Sequence, residues 1–249
     1  MYWGLPRSLR FVLDNHEEKI YAPLRRAGIE YDTFFHTYSS QAPFASSWDR
    51  GDAPRQGDES LLRDALIVKE DRDDALREID VPSLKPPIDP LVVVDGLKHP
   101  FRSFTNFCLA LRSRQRAWGL ADKLARDSGK AYSAFVFVRP DVRFRHVLNP
   151  SWILRAAQDK SVVLSPNFQK MFGMNDRMAI CHPDVAAVYA NAIDDLGDLK
   201  VLYPEKRMLD VMTKRRIRNI EIPIFFWRVR GNNKECWQDT VSGYMPWNM

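Results

Sequence analysis

Apolar positions in this chain follow two rhythms. Over 101–127 they recur at Phe104, Phe107, Leu111, Trp118, Leu120 and Leu124, the spacing of a helix with one buried face. Gly129 closes that helix. Elsewhere they come as short runs, unbroken at 135–138 and 178–181 and opened by Ser161 at 161–164. Such runs are too short for helices and rich in aromatic or β-branched residues, so they predict strands buried on both faces. The run Phe135–Val138 meets Arg139, Pro140 and Asp141. Proline cannot donate a ladder hydrogen bond, so the strand is expected to stop there, with Asp141 just past its carboxyl end.

The remaining pattern fills in around that strand. Met1 to Trp3 predict the end of a strand, and Gly4, Pro6 and Ser8 a turn. A helix capped by Asp14 or Asn15 is expected to run to Arg26, with Gly28 as its stop and Ile20, Leu24 and Ala27 on one face. A strand follows over 29–38, giving the start of a βαβ unit. Further helices are predicted over 59–67, 73–79, 150–157 (opened by Asn149), 183–193 and 203–215, and strands over 91–94 and 220–230. Residues 39–60 have loop composition, and the proline-rich stretch 82–90 breaks any helix. The expected architecture is α/β, a domain over 1–231 whose largely parallel central sheet is flanked by helices, followed by a polar, aromatic tail over 232–249. In such sheets ligands bind outside the carboxyl ends of the strands.

Composition narrows the function classes. Apolar residues make up 45 % and charged residues 28 %, ordinary for a soluble globular protein. The net charge of +5 is dispersed among Arg112/Arg114/Arg116, residues 214–218 and Arg228/Arg230 rather than drawn into one stripe, which argues against a nucleic-acid partner. Three distant cysteines, Cys108, Cys181 and Cys236, show no zinc spacing and fit free thiols in a reducing compartment. No apolar run approaches the roughly 20 residues of a membrane span and no secretory h-region opens the chain, so a soluble, cytoplasmic protein is expected.

Glycine-rich dinucleotide and phosphate loops and a nucleophile elbow are absent, which leaves carboxylate and guanidinium chemistry. Asp141 at a strand end is a hard oxygen ligand suited to Mg²⁺ or Mn²⁺; alternatively it pairs with Arg139 or Arg143, or caps a turn. Asn175-Asp176-Arg177 follows Gly173 and precedes an apolar strand, so Asp176 is placed to accept a proton from a hydroxyl, unless the Asn and Asp only bond their own backbone. Arg7 in the first loop, Arg112 and Arg116 on the long helix, and Arg228 and Arg230 on one face of the last strand can recognise phosphate, or form a solvated basic surface.

Taken in order, GLPRSL at 4–9, EYDTFFHTY at 30–38, NFCLALRSRQRAW at 106–118, AFVFVRPDVRF at 134–144, NDRMAI at 175–180, PEKRMLDVM at 204–212 and FWRVRG at 226–231 resemble a family. It is the GT-A-type, nucleotide-sugar-dependent glycosyltransferase-like group of large algal viruses, algae and bacteria. The resemblance implies transfer of a sugar from a nucleoside-diphosphate sugar, UDP- or GDP-linked, to a hydroxyl of a glycan or glycoprotein acceptor. It implies Gly4, Arg7 and Ser8 in the nucleotide loop. Asp141 stands as the metal ligand, for Mn²⁺ or Mg²⁺, at the place of an Asp-x-Asp motif, with Arg139 where the first acid would be. Arg112, Arg139, Arg177, Arg228 and Arg230 face the donor. If the transfer inverts the anomeric centre, Asp176, with Glu205 behind it, takes the acceptor proton; if it retains, no such base is required in that place. Apart from the resemblance, the loop composition of 39–95 predicts mobile or acceptor-facing loops there. The alternatives from other classes are a nucleotide-sugar-binding protein without turnover and a basic nucleic-acid-binding domain.

Overall fold

The computed structural model describes residues 1–39, 57–81, 100–198 and 204–236, with only the backbone described at 100–103 and 196–198. The predicted strand over 91–94, the proline-rich stretch at 82–90, most of the 39–60 loop and the end of the tail lie outside the described residues.

Seven strands form one mixed sheet: β1 (Tyr2–Trp3), β2 (Thr33–Ser39), β3 (Ala65–Asp71), β4 (Phe135–Val138), β6 (Val162–Pro166), β7 (Met178–Cys181) and β8 (Arg218–Ile222). Their order is β3-β2-β1-β4-β7-β6-β8, and β5 (Val142–Phe144) pairs with β9 (Phe226–Arg228) in a second, two-stranded sheet. All neighbours in the large sheet run parallel except β7, which is antiparallel to both β4 and β6. The helices are α1 (Leu9–His16), α2 (Ala22–Arg26), α3 (Arg72–Ile79), α4 (Pro100–Ser128), α5 (Pro150–Gln158), α6 (Pro183–Ala190) and α7 (Pro204–Lys214). The α/β architecture with a mostly parallel sheet between helical layers is therefore as the alternating pattern predicts.

Alternation along the buried strands feeds two cores. Trp3, Phe34 and Phe137 face the layer of α4, α6 and α7, whereas Tyr2, Phe35 and Val138 face α1, α2 and α5. Both sides are closed, which is why these runs carry so little polar residue.

Four local predictions change. The stretch 59–67 yields a short 3₁₀ turn, Asp58–Leu61, and then the edge strand β3 instead of a helix. In β3, Ala65 and Ile67 pack on the core while Leu66 and Val68 stay exposed, a period of two that β-branched residues favour. Asp71 then caps α3 by accepting from the Asp73 and Asp74 amides. The first helix begins at Leu9, before Asp14 and Asn15, and Asn15 instead clasps β5 with both amide atoms, giving to the Phe144 carbonyl at 3.0 Å and taking its N–H at 2.7 Å. Pro23 inside the second half of that helix cannot bond the Lys19 carbonyl. A π turn over Glu17–Tyr21 frees that carbonyl, which accepts from the Leu148 amide at 2.8 Å. Finally, the strand predicted over 220–230 is broken at Pro223 into β8, on the edge of the large sheet, and β9 in the small one.

Candidate functional site

The order β3-β2-β1 extends one way from β1 and β4 lies on its other side, so the strand order reverses between β1 and β4. The carboxyl ends of these two strands are where an open α/β sheet leaves a crevice. The loop after β1 carries Gly4, Arg7 and Ser8, and the turn after β4 carries Arg139 and Asp141. Gly4 needs its φ of +90° there; its amide gives hydrogen bonds to the Ser113 hydroxyl on α4 and to the His36 carbonyl at 2.8 and 3.2 Å. The end of β9 ties both loops together, since the Ser8 hydroxyl gives to the Val229 carbonyl at 2.8 Å and the Val229 amide to the Asp141 carbonyl at 2.7 Å.

Asp141 is fully buried and accepts from the Nε and Nη2 of Arg139 at 2.8 and 2.6 Å, one bond per carboxylate oxygen. Burial alone would push its pKa up; Arg139, seconded by Arg7 and Arg230, outweighs this and holds it well below the usual carboxylate range. The carboxylate is thus the anion around which guanidiniums gather. A divalent cation needs several oxygen ligands. Both Asp141 oxygens are engaged by a cation, and among the described residues no three His, Cys, Asp or Glu side chains gather to hold a metal ion. Among the described residues, the side chains around Asp141 do not make up a set of oxygen ligands for Mg²⁺ or Mn²⁺, and the pairing with Arg139 is the arrangement found.

The second half of the crevice comes from the loop 167–177 between β6 and β7. The Arg177 carbonyl accepts from the Arg139 amide at 3.1 Å, which seats this loop against the end of β4. Asn175 is buried, gives to the Phe168 carbonyl at 2.9 Å and accepts from the Arg177 amide at 2.9 Å, the local turn that its residue type favours. Asp176 beside it is mostly covered, its side chain 21 % exposed and its Oδ1 buried. Arg177 stands between two acids, 3.6 Å from Glu205 at the start of α7 and 4.0 Å from Asp176. Burial and the Asp176 charge push Glu205 up to about 7, against the pull of Arg177 and Arg228. Three buried polar atoms here lack a hydrogen-bond partner: Asp176 Oδ1, Arg177 Nη1 and Arg114 Nε. Buried polar atoms are otherwise almost always paired, so this cluster offers both acceptor and donor positions to a polar ligand.

Arg114 is the residue that the choice of sites left out. It is 1 % exposed, stacks 3.9 Å above the Tyr189 ring, gives to the Met208 sulfur at 3.1 Å and feels the Asp176 charge. The signal was present: 107, 111, 114, 118 and 121 form one helical stripe, and Arg114 is the cation on it. Arg112 and Arg116 lie off the stripe and turn to the β3–α3 side, where they pair with Glu70 and Glu78. Beside them His36 is pulled down to about 3 by burial and by Arg116 and Arg112, so its 3.5 Å approach to Glu70 is not an ion pair near pH 7. Arg228 and Arg230 both give to the Cys236 sulfur at 3.4 Å, which places them on one side of the chain as the alternation predicts. The structure therefore brings together Gly4, Arg7, Ser8, Arg139, Asp141, Asp176, Arg177, Glu205, Arg228 and Arg230, and sets Arg112 apart.

The loop 167–177 is itself strained. Gln169, Met171 and Phe172 have φ values of 52°, 37° and 65°, a region that costs an L-residue roughly 1–2 kcal/mol. Gly173 makes this possible: a Cβ there would lie 2.0 Å from the Glu205 carbonyl oxygen.

No family model and no curated protein matches the chain. Among solved structures it is similar to mouse xyloside xylosyltransferase 1 in its apo form, at 9 % identity and a TM-score of 0.36, over 89 % of this chain and 83 % of that one. A likeness this distant carries no argument about function. Among the described residues no helix is long and apolar enough to cross a membrane.

Proposed function

We propose that this protein is a glycosyltransferase of GT-A type that transfers a sugar from a nucleoside-diphosphate sugar, UDP- or GDP-linked, to a hydroxyl of a glycan. The observation that carries the reading is the pairing of two unlike charge sets across one crevice: guanidiniums gathered on the buried Asp141, and the acids Asp176 and Glu205 on either side of Arg177.

Sugar transfer passes through an oxocarbenium-like transition state while negative charge grows on the departing diphosphate. Arg7, Arg139, Arg228 and Arg230 are the groups that meet that charge, and Asp141 keeps Arg139 oriented before substrate arrives. Arg139 is the better choice here than a lysine, because its planar fork can hold Asp141 on one edge and still present donors. On the other side the acceptor hydroxyl gives its proton to Asp176 as its oxygen bonds the anomeric carbon. The bond from that carbon to the diphosphate oxygen breaks, and its electron pair leaves with the nucleotide. Glu205, protonated over much of the range below pH 7, stands behind as a hydrogen-bond donor and keeps the pair from repelling the incoming hydroxyl. The first loop, with the Gly4 amide turned inward, holds the nucleotide.

A thermal-shift screen of UDP- and GDP-sugars, with and without Mn²⁺, tests this without an acceptor in hand. A donor at one hundred times its Kd stabilises the native state by about 2.7 kcal/mol. The reading fails if no nucleotide sugar raises the melting temperature. Dependence of the shift on Mn²⁺ would restore a metal to the site.

A further inference from the structure

In the middle of the large sheet, ahead of β1, its two neighbours stand apart with a gap between them. β2 and β4 flank β1, but their register with it begins only at Phe35 and Val138. Ahead of those positions Thr33 and Phe34 pair outward with β3, and Phe135, Val136 and Phe137 pair outward with β7. On the inner side Met1 reaches two residues of β4. Its nitrogen gives to the Val136 carbonyl at 3.0 Å, and its carbonyl accepts from the Val138 amide at 2.9 Å. Ahead of Met1 no strand among the described residues lies between β2 and β4. Strands one position removed from each other stand about 9.6 Å apart, which is room for a single extended backbone.

The cavity of about 420 Å³ that opens there takes its walls from both faces of the sheet. Phe34, Tyr132 and Phe135 belong to the core on the α4 side, whereas Ile20, Leu24 and Ile153 belong to the core under α1, α2 and α5. A pocket under one face of a continuous sheet has walls from that face alone. A cavity walled by both cores passes through the plane of the sheet, as a strand does. Side chains on a strand alternate between faces, so each core offers an apolar seat to every second residue of an occupant. Tyr31 and Leu154, 38 % and 56 % exposed, also line the cavity and open it to solvent. Glu30, Asp32 and Lys130 complete the lining, two carboxylates against one ammonium.

We propose that this gap is a strand-accepting site, in which an extended apolar segment of a partner protein enters parallel to β2 and β4 and continues the sheet ahead of β1. At about 3.3 Å per residue, the stretch from Tyr31 to Phe34 takes an occupant of about three or four residues. Parallel is the direction that β1, β2 and β4 share, and Met1 closes the carboxyl-ward end of the gap. β-branched residues suit a seat buried on both faces, and a lysine or arginine just ahead of them meets the more acidic lining. An acyl chain or a flat aromatic ring fills volume but leaves the inward backbone groups of both strands unpaired, whereas an extended peptide pairs them. The site lies at the opposite ends of the strands from the crevice of Asp141 and stands apart from the transferase reading.

The probe is acetyl-Lys-Val-Ile-Val amide, titrated into the whole chain and followed by calorimetry and by amide hydrogen exchange. The peptide should bind and slow exchange about tenfold or more within Thr33–Phe34 and Phe135–Phe137, leaving β8 at the sheet edge unchanged. Ala157→Leu puts bulk into the cavity, and acetyl-Lys-Val-Pro-Val amide lacks an amide hydrogen in its middle. Each should weaken binding about tenfold or more, with thermal melting showing that the variant is folded. The proposal is overturned if the wild type does not bind the peptide, if the proline peptide binds as well, or if octanoate binds more tightly than the peptide. A chain lengthened ahead of Met1 by Val-Ile-Val covers the remaining case. Loss of peptide binding in it supports the gap as the site, whereas retained binding puts the peptide elsewhere and overturns the proposal. If the lengthened chain melts higher while the peptide never binds the wild type, the gap belongs to β1 itself and the partner proposal falls.

Discussion

The two edges of the same sheet hold different kinds of space. At the amino edge a cavity of about 420 Å³ opens among Tyr21, Tyr31, Phe34, Tyr132, Phe135 and Ala157. Its origin is geometric. β1 spans only Tyr2–Trp3 while β2 runs over Thr33–Ser39, so ahead of β1 its two neighbours stand roughly 9.6 Å apart, twice the spacing of paired strands. The walls are mostly aromatic and aliphatic, with the ion pair of Asp32 and Lys130 nearby. The carboxyl edge carries the chemistry: a buried carboxylate ringed by arginines, two acids on one guanidinium, and polar atoms without partners. What distinguishes the carboxyl edge is burial of charge that the fold does not fully compensate.

The comparison can be broken most directly at Asp141. Asp141→Ala leaves the half-buried Arg139 beside other cations with its anion gone, and the chain should lose about 3 kcal/mol of stability in urea denaturation. Donor binding should go with it, and a loss under 1 kcal/mol would show that the arginines do not depend on this anion. Asp176→Asn should slow sugar transfer by 100-fold or more, about 2.7 kcal/mol of barrier, with the donor-induced melting shift intact. An unchanged rate would remove Asp176 from the chemistry. Gly173→Ala drives a Cβ into the Glu205 backbone and should cost about 1–3 kcal/mol, read by thermal melting.

A pH series sharpens the same contrast. Glu205 binds its proton more tightly folded than unfolded, so stability should fall as the pH rises from about 4.5 to about 7 and level off above. A slope of roughly 1 kcal/mol per pH unit is expected, and Glu205→Gln should flatten it. Asp141 contributes the opposite sign, its stabilisation being present above the ordinary aspartate range and lost as the pH falls below it. The smallest effect belongs to the other edge. Ala157→Leu, filling part of the amino-edge cavity from α5, should add about 0.5–1 kcal/mol and leave transfer unchanged. A loss of transfer there would make the cavity part of the working site.

Much of this was legible in one dimension. The run at Phe135–Val138 with its proline stop gave both a doubly buried strand and the place of Asp141 at its end, because hydrophobic runs and missing amide donors act locally. The caps at Asn149 and the shared face of Arg228 and Arg230 were readable for the same reason. Where local signals compete, tertiary packing chose. Residues 65–71 became a strand because β2 offered an edge, Asn15 left its capping role for the backbone of Phe144, and Pro223 turned one predicted strand into two members of different sheets.

The sequence by itself determined the layers, since alternation and helical period say which faces must leave water. It also determined which strand-end and turn residues, Gly4, Arg139 and Asp141 among them, end up at the carboxyl edge, since strand ends and turns are local events, whereas the choice between Arg112 and Arg114 on the long helix was made by packing. Only the tertiary structure decided what those residues do to one another. Asp176 and Glu205 stand 29 positions apart in the chain and become neighbours through Arg177. Asp141 sits two residues from Arg139, yet nothing local says that it closes on this arginine rather than on Arg143 or a metal ion. That choice belongs to the surrounding charges, Arg7 and Arg230 from opposite ends of the chain, because the energy of a buried carboxylate is set by every cation within reach and not by its sequence neighbours.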